Sequence, residues 1–370
     1  MIIGIDASRY GHTEATGVEW YSYYLLNELI PLLGREHHAE IRLYGRCDFH
    51  LEVDLPFNVH KRVIPLKRFW TILGLSLEML LQKPDILFVP SHTLPFFSPK
   101  KSIMTIHDVA FLHLKKAYSW LDAWRLHQTT KKAVKRAYRL IVPSEATKHD
   151  LIKFYRCKPE KIVVIPHGAP HIPALRHWSN DENKKLRQQF FLSEKDLFVL
   201  YVGRLEAKKN LDRLISAFHR FLSEFPGWKL ILAGKRGTGF EEIMKTVLRL
   251  KLEQNVILPG YVTEKEKSFL FEHCRIFAFP SLYEGFGLPL LEAFSYHKPV
   301  LASKIPALLE VAGIAAYLVN PTKVEEIGVG LKRLAQDGTL VTKIVQNGIE
   351  QLKKFSWEKA AQETFEVIFG

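Results

Sequence analysis

Two glutamates, Glu284 and Glu292, stand with seven residues between them in the run Ser281-Leu282-Tyr283-Glu284-Gly285-Phe286-Gly287-Leu288-Pro289-Leu290-Leu291-Glu292. A carboxylate is a poor partner for phosphate. It is a good acceptor for paired hydroxyls, such as those of a ribose or a hexose. Pro289 suits the first turn of a helix, where its missing N–H costs nothing. The pattern predicts a buried strand at 276–280, a glycine-rich turn, and a helix opening near Pro289. Backbone amides at such a helix start attract anions. Gly285 and Gly287 would let a ligand approach the main chain closely. Spacing alone leaves a plainer reading equally open, with Glu284 an electrostatic cap and Glu292 a solvated helix residue.

A second segment, Val202-Gly203-Arg204-Leu205-Glu206-Ala207-Lys208-Lys209-Asn210, repeats the plan. A strand runs into a glycine turn, then cations, then a helix for which Asn210 is the expected N-cap. Arg204 and Lys209 could clamp a diphosphate. They would also stabilise negative charge growing on a leaving phosphate. Two surface cations beside a helix start account for the same residues. Taken together, the segments offer cations for a diphosphate, carboxylates for hydroxyls, and amides at helix starts.

The elements needed to hold these residues are legible as alternating apolar runs and amphipathic stretches, the pattern of βαβ units. Strands are expected at 2–6, 41–44, 62–65, 86–90, 103–107, 140–143 and 162–166, with helices at 18–33, 69–81, 117–138 and 145–154. The pattern restarts after a polar stretch, with strands at 197–202, 230–233, 256–258, 276–280, 300–302 and 316–319. Helices are expected there at 210–225, 240–252, 264–272 and 289–296, with several more after Lys323. The fold class is α/β, with two Rossmann-like doubly wound parallel-sheet domains facing a central cleft. Ligands of such sheets gather at the carboxyl ends of the strands. The expected organisation is a first domain at 1–172, a linker at 173–183, a second domain at 184–352, and a C-terminal helix at 353–370 returning to the first domain.

Bulk properties agree with that plan. At 370 residues the chain suits two domains of about 150–200 residues each. Hydrophobic residues make up 47% and charged residues 25%, a globular composition. The net charge is +13, with 25 Lys and Arg against 16 Asp and Glu in residues 1–180. A basic half implies an anionic partner. Cys47, Cys157 and Cys274 form no metal spacing and fit a reducing compartment. The N-terminal residues turn polar too soon for a signal peptide, and no run of about 18 apolar residues exists. The expected location is cytoplasmic, at the inner face of the cell membrane if the basic surface docks there.

The motifs together resemble glycosyltransferase family 4. The two glutamates within Tyr283-Glu284 to Glu292 resemble that family's signature, and Val202-Gly203-Arg204 with Lys208-Lys209-Asn210 looks like its diphosphate segment. Thr105-Ile106-His107-Asp108, Val142-Pro143-Ser144 and Ile165-Pro166-His167-Gly168 are similar to its N-domain segments. Leu232-Ala233-Gly234, Pro259-Gly260-Tyr261-Val262 and Phe355-Ser356-Trp357 are similar to its C-domain landmarks. Within the family, the first half looks most like bacterial mannosyltransferases of surface-polysaccharide assembly.

The resemblance implies the two-domain GT-B fold and a retaining sugar transfer. Arg204 and Lys209 would bind the donor diphosphate, with Gly203 at their turn. Glu292 would hold the ribose hydroxyls. Glu284, Gly285 and the amides of Phe286, Gly287 and Leu288 would hold the transferred sugar. His107 would stand near the reacting centre, with Asp108 orienting its neighbours. Gly17, within Thr16-Gly17-Val18-Glu19, would turn its backbone toward the donor phosphates, although the preceding loop (Arg9, His12, Glu14) lacks the clustered glycines of many relatives. The implied mechanism is front-side attack with Arg204, Lys209, His107 and Glu284 as the catalytic group. A retaining glycosidase uses two carboxylates about 5 Å apart, and these glutamates are not such a pair. The sequence contains no Asp-x-Asp triplet, which favours transfer without a metal, and no cofactor is expected.

The expected donor is GDP-mannose, with a UDP-sugar as the alternative, and the expected acceptor is a glycan or a lipid-linked glycan. Lys131, Lys132, Lys135, Arg136 and Arg139 recur at helical spacing near Trp120, Trp124 and Tyr138, and Lys67-Arg68-Phe69-Trp70 forms a second basic-aromatic patch. Such faces can dock on anionic lipid, and a solvated helix face fits them as well. A nucleotide-sugar epimerase on the same fold is a second enzymatic reading. A dehydrogenase and a P-loop enzyme are disfavoured, since neither glycine signature is present. Nucleic acid is not an expected partner, because no reading module accompanies the basic charge.

Overall fold

The structure, a computed structural model, describes residues 1–11, 15–66, 68–170 and 178–370, and the main chain alone of Lys116. His12, Glu14 and Lys67 lie outside the described residues, as do residues 173–177 of the expected linker.

The chain forms two compact units. The first comprises Met1–Lys115, Ser119–Gly168 and Phe355–Gly370. Its strands are β1 (Ile2–Asp6), β2 (Glu40–Gly45), β3 (Val59–Val63), β4 (Ile86–Val89), β5 (Lys101–Thr105), β6 (Arg139–Val142) and β7 (Ile162–Val164). They pair in the order β3-β2-β1-β4-β5-β6-β7, every pair parallel. The chain starts at the middle of the sheet and winds outward twice, the doubly wound plan. β4 is apolar along its whole buried length and β1 as far as Ile5, as strands covered on both faces must be, and the buried Asp6 ends β1 at its carboxyl edge. The helices are α1 (Gly17–Gly34), α2 (Leu75–Leu81), α3 (Ala110–His113), α4 (Trp120–Arg136) and α5 (Glu145–Tyr155).

The second unit comprises Ala169–Lys354 with Lys116–Tyr118. Its six parallel strands are β8 (Phe198–Val202), β9 (Lys229–Ala233), β10 (Val256–Gly260), β11 (Ile276–Phe279), β12 (Val300–Ser303) and β13 (Tyr317–Val319). Their order, β10-β9-β8-β11-β12-β13, is again doubly wound. Around them lie α6 (Asn180–Gln189), α7 (Leu211–Leu222), α8 (Phe240–Arg249), α9 (Glu264–His273), α10 (Leu288–Ser295), α11 (Pro306–Ala312), α12 (Val324–Gln336) and α13 (Gly338–Leu352).

The last helix, α14 (Trp357–Phe369), belongs to the first unit and packs along α1. Trp357 is its anchor. The ring stacks on Tyr24 with centroids 5.4 Å apart and on His167 at 5.7 Å. A Cβ on Gly168 would come within 2.3 Å of the Trp357 nitrogen, so the chain can pass there only as glycine.

Several elements differ from expectation. β3 occupies Val59–Val63, earlier than 62–65, because this edge strand is largely polar and its alternation hides its start. The helix expected at 69–81 opens as a π-helical turn, Trp70–Gly74, before α2 begins. The side-chain hydroxyl of Ser76, in α2, donates back to the Thr71 carbonyl of that turn. The helix expected at 117–138 is α4, started by Ser119, whose hydroxyl accepts the Asp122 amide. Arg139 therefore lies on β6 and not on the basic helix face. The linker's tail is helical, since Ser179 and Glu182 form a reciprocal capping box that opens α6.

Candidate functional site

β8 delivers the chain to Gly203, which has φ +150°. A Cβ on its neighbour Gly234 would come within 1.9 Å of the Gly203 carbonyl oxygen. The two turns thus touch main chain to main chain. Ladder bonds continue past the strands, from Leu205 N–H to the Lys235 carbonyl and from Ala207 N–H to the Thr238 carbonyl. Residues 204–209 are held as a short rigid platform in consequence. Arg204 is exposed on it, and among the described residues its guanidinium has no ion-pair partner.

Asn210 is not the side-chain cap its position suggested. It takes the left-handed conformation, φ 62°, and its buried amide donates to the Pro280 carbonyl at 2.9 Å and the Pro321 carbonyl at 2.7 Å. Asparagine tolerates that backbone region better than most residues. The side chain ties the platform to the end of β11, and Leu282 N–H bonds back to the Lys208 carbonyl at 2.8 Å. These bonds bring the two sequence motifs together.

Their meeting point is an ion pair. Lys209 Nζ lies 2.6 Å from Glu284 Oε1, with side chains only 12% and 10% exposed. The ammonium also stands 5.3 Å above the Phe279 ring. Beneath it Tyr201 is fully buried and donates its hydroxyl to the Arg204 carbonyl. Burial first, then the nearby Glu284 and Glu206 carboxylates, hold that phenol well above its ordinary pKa. After Glu284 the chain turns through Gly285 and Phe286 to Gly287, φ 123°, and enters α10 with no side-chain cap. Pro289 is in the first turn, as the sequence requires. The uncapped helix start leaves Leu288 and Gly287 at the positive end of its dipole.

Glu292 is not solvated. It sits 2.7 Å from Lys267 Nζ, a cation of α9 that sequence reasoning did not single out. Lys267 also contacts Glu264 at 3.0 Å. Burial opposes its charge, but Glu292 and Glu264 outweigh burial and raise its pKa above the usual lysine value. Lys235 and Arg236 were missed too. They follow Gly234 beside the platform and lie over the rings of Tyr261 and Phe240. The signal for them was a pair of cations bracketed by Gly234 and Gly237 directly after a strand.

In the first unit, Gly17 opens α1 with open space where a Cβ would stand. His107 follows β5 by two residues and is packed 4.6 Å from the ring of Tyr21, on the same helix as Gly17. Its Nε2 is 3.1 Å from the Pro90 carbonyl, and its N–H donates to His92 Nε2 at 3.2 Å. Burial, helped by the neighbouring His92, lowers the His107 pKa to about 3, so the ring is neutral near neutral pH. Asp108 accepts the Ala110 amide at 3.0 Å, an orienting contact.

The basic-aromatic patches are only partly surface. Trp70 is buried and donates its indole N–H to the Ile64 carbonyl. Arg136 is spent on the Pro95 and Phe96 carbonyls and Ser98. Arg139 bonds the Glu160 carbonyl and covers the Tyr138 ring. Trp120 and Trp124 are exposed, and so is an apolar stripe unnoticed in the sequence, Ile72, Leu73, Leu77, Leu80 and Leu81. Among the described residues, no helix is long and apolar enough to cross a membrane.

Two doubly wound units, with cations, a carboxylate and an uncapped helix start assembled at the strand ends of one of them, define a GT-B glycosyltransferase. The family model for glycosyltransferase family 4 matches residues 15–171, and that for glycosyl transferases group 1 matches residues 182–351. The chain belongs to this family. It is 27% identical over 339 residues to the O-antigen chain mannosyltransferase B of Escherichia coli, covering 90% of this chain and 86% of that one. It is also 27% identical over 272 residues to the serotype-specific mannosyltransferase WbdA of the same species, covering 72% of this chain but only 33% of the relative. Among solved structures, HepE of Anabaena in complex with UDP-glucose matches with a TM-score of 0.75 at 20% identity, covering 100% of this chain and 99% of that one. That likeness is one of fold.

Proposed function

We propose that this glycosyltransferase moves mannose from GDP-mannose to a glycan or lipid-linked glycan acceptor, with retention at the anomeric carbon and without a metal ion. The observation that carries the reading is the Lys209–Glu284 pair at 2.6 Å, set between the Arg204 platform and the start of α10. The choice of mannose is supported by the mannosyltransferase relatives. Arg204 and Lys209 would neutralise the diphosphate, Glu284 would accept sugar hydroxyls, and the amides of Phe286, Gly287 and Leu288 would face the anionic sugar phosphate. Glu292 would accept the ribose hydroxyls. Gly17 would present its amide to the phosphates, and the neutral His107 would offer a hydrogen bond without adding charge.

In the reaction the acceptor hydroxyl oxygen bonds to the anomeric carbon on the face from which the phosphate departs. The carbon–oxygen bond to the phosphate breaks, and the hydroxyl proton passes to the leaving phosphate oxygen. The two cations stabilise the charge that accumulates there, which is where electrostatic catalysis is strongest. The acceptor's lipid would rest near the exposed stripe from Ile72 to Leu81, in keeping with the basic first half of the chain.

A donor screen reading released nucleoside diphosphate, with and without chelator, tests the proposal. GDP-mannose should turn over best and be insensitive to chelator. Arg204→Ala and Lys209→Ala should each lower kcat by roughly 100- to 1,000-fold, the usual effect of deleting one charge-stabilising donor. Preference for a UDP-sugar would overturn the donor, and full activity in both variants would overturn the site.

A further inference from the structure

We propose that Lys267 is a positioning residue that sets how the site discriminates ribose from deoxyribose, acting through Glu292. The inference rests on the reading of Glu292 as the ribose acceptor. Nothing in the family signature points to Lys267, which lies 25 residues before Glu292 and on a different helix.

The geometry is a relay that runs from Glu292 through Lys267 to Glu264. Lys267 Nζ donates to Glu292 Oε1 at 2.7 Å and faces Glu264 Oε2 at 3.0 Å. Lys267 and Glu292 are nearly closed off, with side chains 12% and 16% exposed, while that of Glu264 is 53% exposed. Glu292 Oε2 takes no hydrogen bond among the described residues. The pair thus does two things to the carboxylate. It compensates a charge that would otherwise be costly to bury. It also anchors one oxygen, so that the other is aimed and free to accept. A carboxylate so restrained recognises a hydroxyl at a fixed place and is left unsatisfied when that hydroxyl is missing, which is how polar sites reject deoxy analogues. Neighbouring contacts stiffen the arrangement. Tyr296, one turn after Glu292, donates its hydroxyl to Ser268 at 2.8 Å, locking α10 to α9 beside the pair.

A merely structural lysine would join α9 to α10 with no effect on which sugar is preferred. Calorimetry separates the two roles, using GDP and 2′-deoxy-GDP, then UDP and 2′-deoxy-UDP, on the full chain. Wild type should favour the ribose form by about tenfold or more, as a site built around a hydroxyl does. Lys267→Met should bring that ratio close to one. Lys267→Arg should restore most of it, and Glu264→Gln, which alters only the exposed end of the relay, should leave it near the wild-type value. A ratio unchanged in Lys267→Met, while Glu292→Gln abolishes it, would overturn the role of Lys267 alone. A ratio unchanged in Glu292→Gln, or no binding of either nucleotide pair by wild type, would overturn the underlying reading of the site. Should Lys267→Met not fold, loss of discrimination in Lys267→Gln supports the role, and full discrimination there overturns it.

Discussion

Lys209 and Glu284 illustrate how much a single contact specifies. The carboxylate holds the ammonium in place over Phe279, so that the charge proposed to meet the diphosphate is oriented before any substrate arrives. Glu284→Gln preserves the shape but removes the charge. Steady-state kinetics should show kcat reduced by about 100-fold, with Glu284→Asp intermediate. Equal activity in Glu284→Gln would show that the carboxylate's charge is irrelevant. The buried histidines give a different test. Burial holds His107 at about 3 and His167 well below its ordinary value, whereas both titrate near 6.5 in the unfolded chain. The unfolded state then binds the extra protons. Their stabilising effect is complete above about pH 6.5 and is lost as pH falls below it, for His107 down to about 3. Each neutral imidazole contributes a slope of about 1.4 kcal/mol per pH unit inside that window. His167→Phe keeps a ring against Trp357 and should remove one such slope in urea titrations between about pH 6 and 4.5. An unaltered slope would mean that His167 is already protonated in the native protein.

At the scale of elements, the platform between β8 and α7 depends on two unusual backbone positions. Asn210→Ala deletes both bonds to the Pro280 and Pro321 carbonyls and places an alanine in the left-handed region. Unpaired buried groups and the conformational penalty together should cost about 2–4 kcal/mol in urea unfolding. Asn210→Gly loses the same bonds without the backbone penalty, so it should be about 1 kcal/mol milder. Two variants of equal stability would show that the left-handed turn carries no strain. Gly234→Ala is the harsher change, because its methyl would collide with the Gly203 carbonyl of the facing turn. The π-helical turn before α2 has a separate consequence. It turns Trp70 inward while leaving Leu73 and Leu77 outside, so an apolar helix keeps one face uncovered.

The C-terminal segment completes the first unit. Trp357 is 1% exposed among Tyr24, Tyr21 and His167, all residues of the first unit. Trp357→Ala should cost about 3–5 kcal/mol. Hydrogen exchange should show the lost protection in β1–β7, with β8–β13 little changed; the reverse distribution would contradict the assignment of α14 to the first unit. The apolar stripe belongs to this scale as well, since it bears on where the enzyme works. Cosedimentation with vesicles containing anionic phospholipid should fall several-fold in the double variant Leu73→Asp, Leu77→Asp, and unchanged binding would remove the stripe from the proposed acceptor surface.

The succession of strands along the chain, the glycine turns and the residues of the two motifs were legible in the sequence, because each is written in local periods and short-range backbone demands. A buried strand needs a run of apolar residues, and a helix start needs its proline and glycine near at hand. What tertiary structure decided was partnership and facing. Lys209 meets Glu284 across 75 residues, Glu292 is claimed by Lys267 instead of solvent, and Asn210 bonds two distant carbonyls instead of capping its own helix. No local pattern encodes these meetings, since they arise when parallel strands bring remote loops to one sheet end. The same holds for the leucines of α2. Hydrophobicity around an entire helix does not say which face the fold will cover.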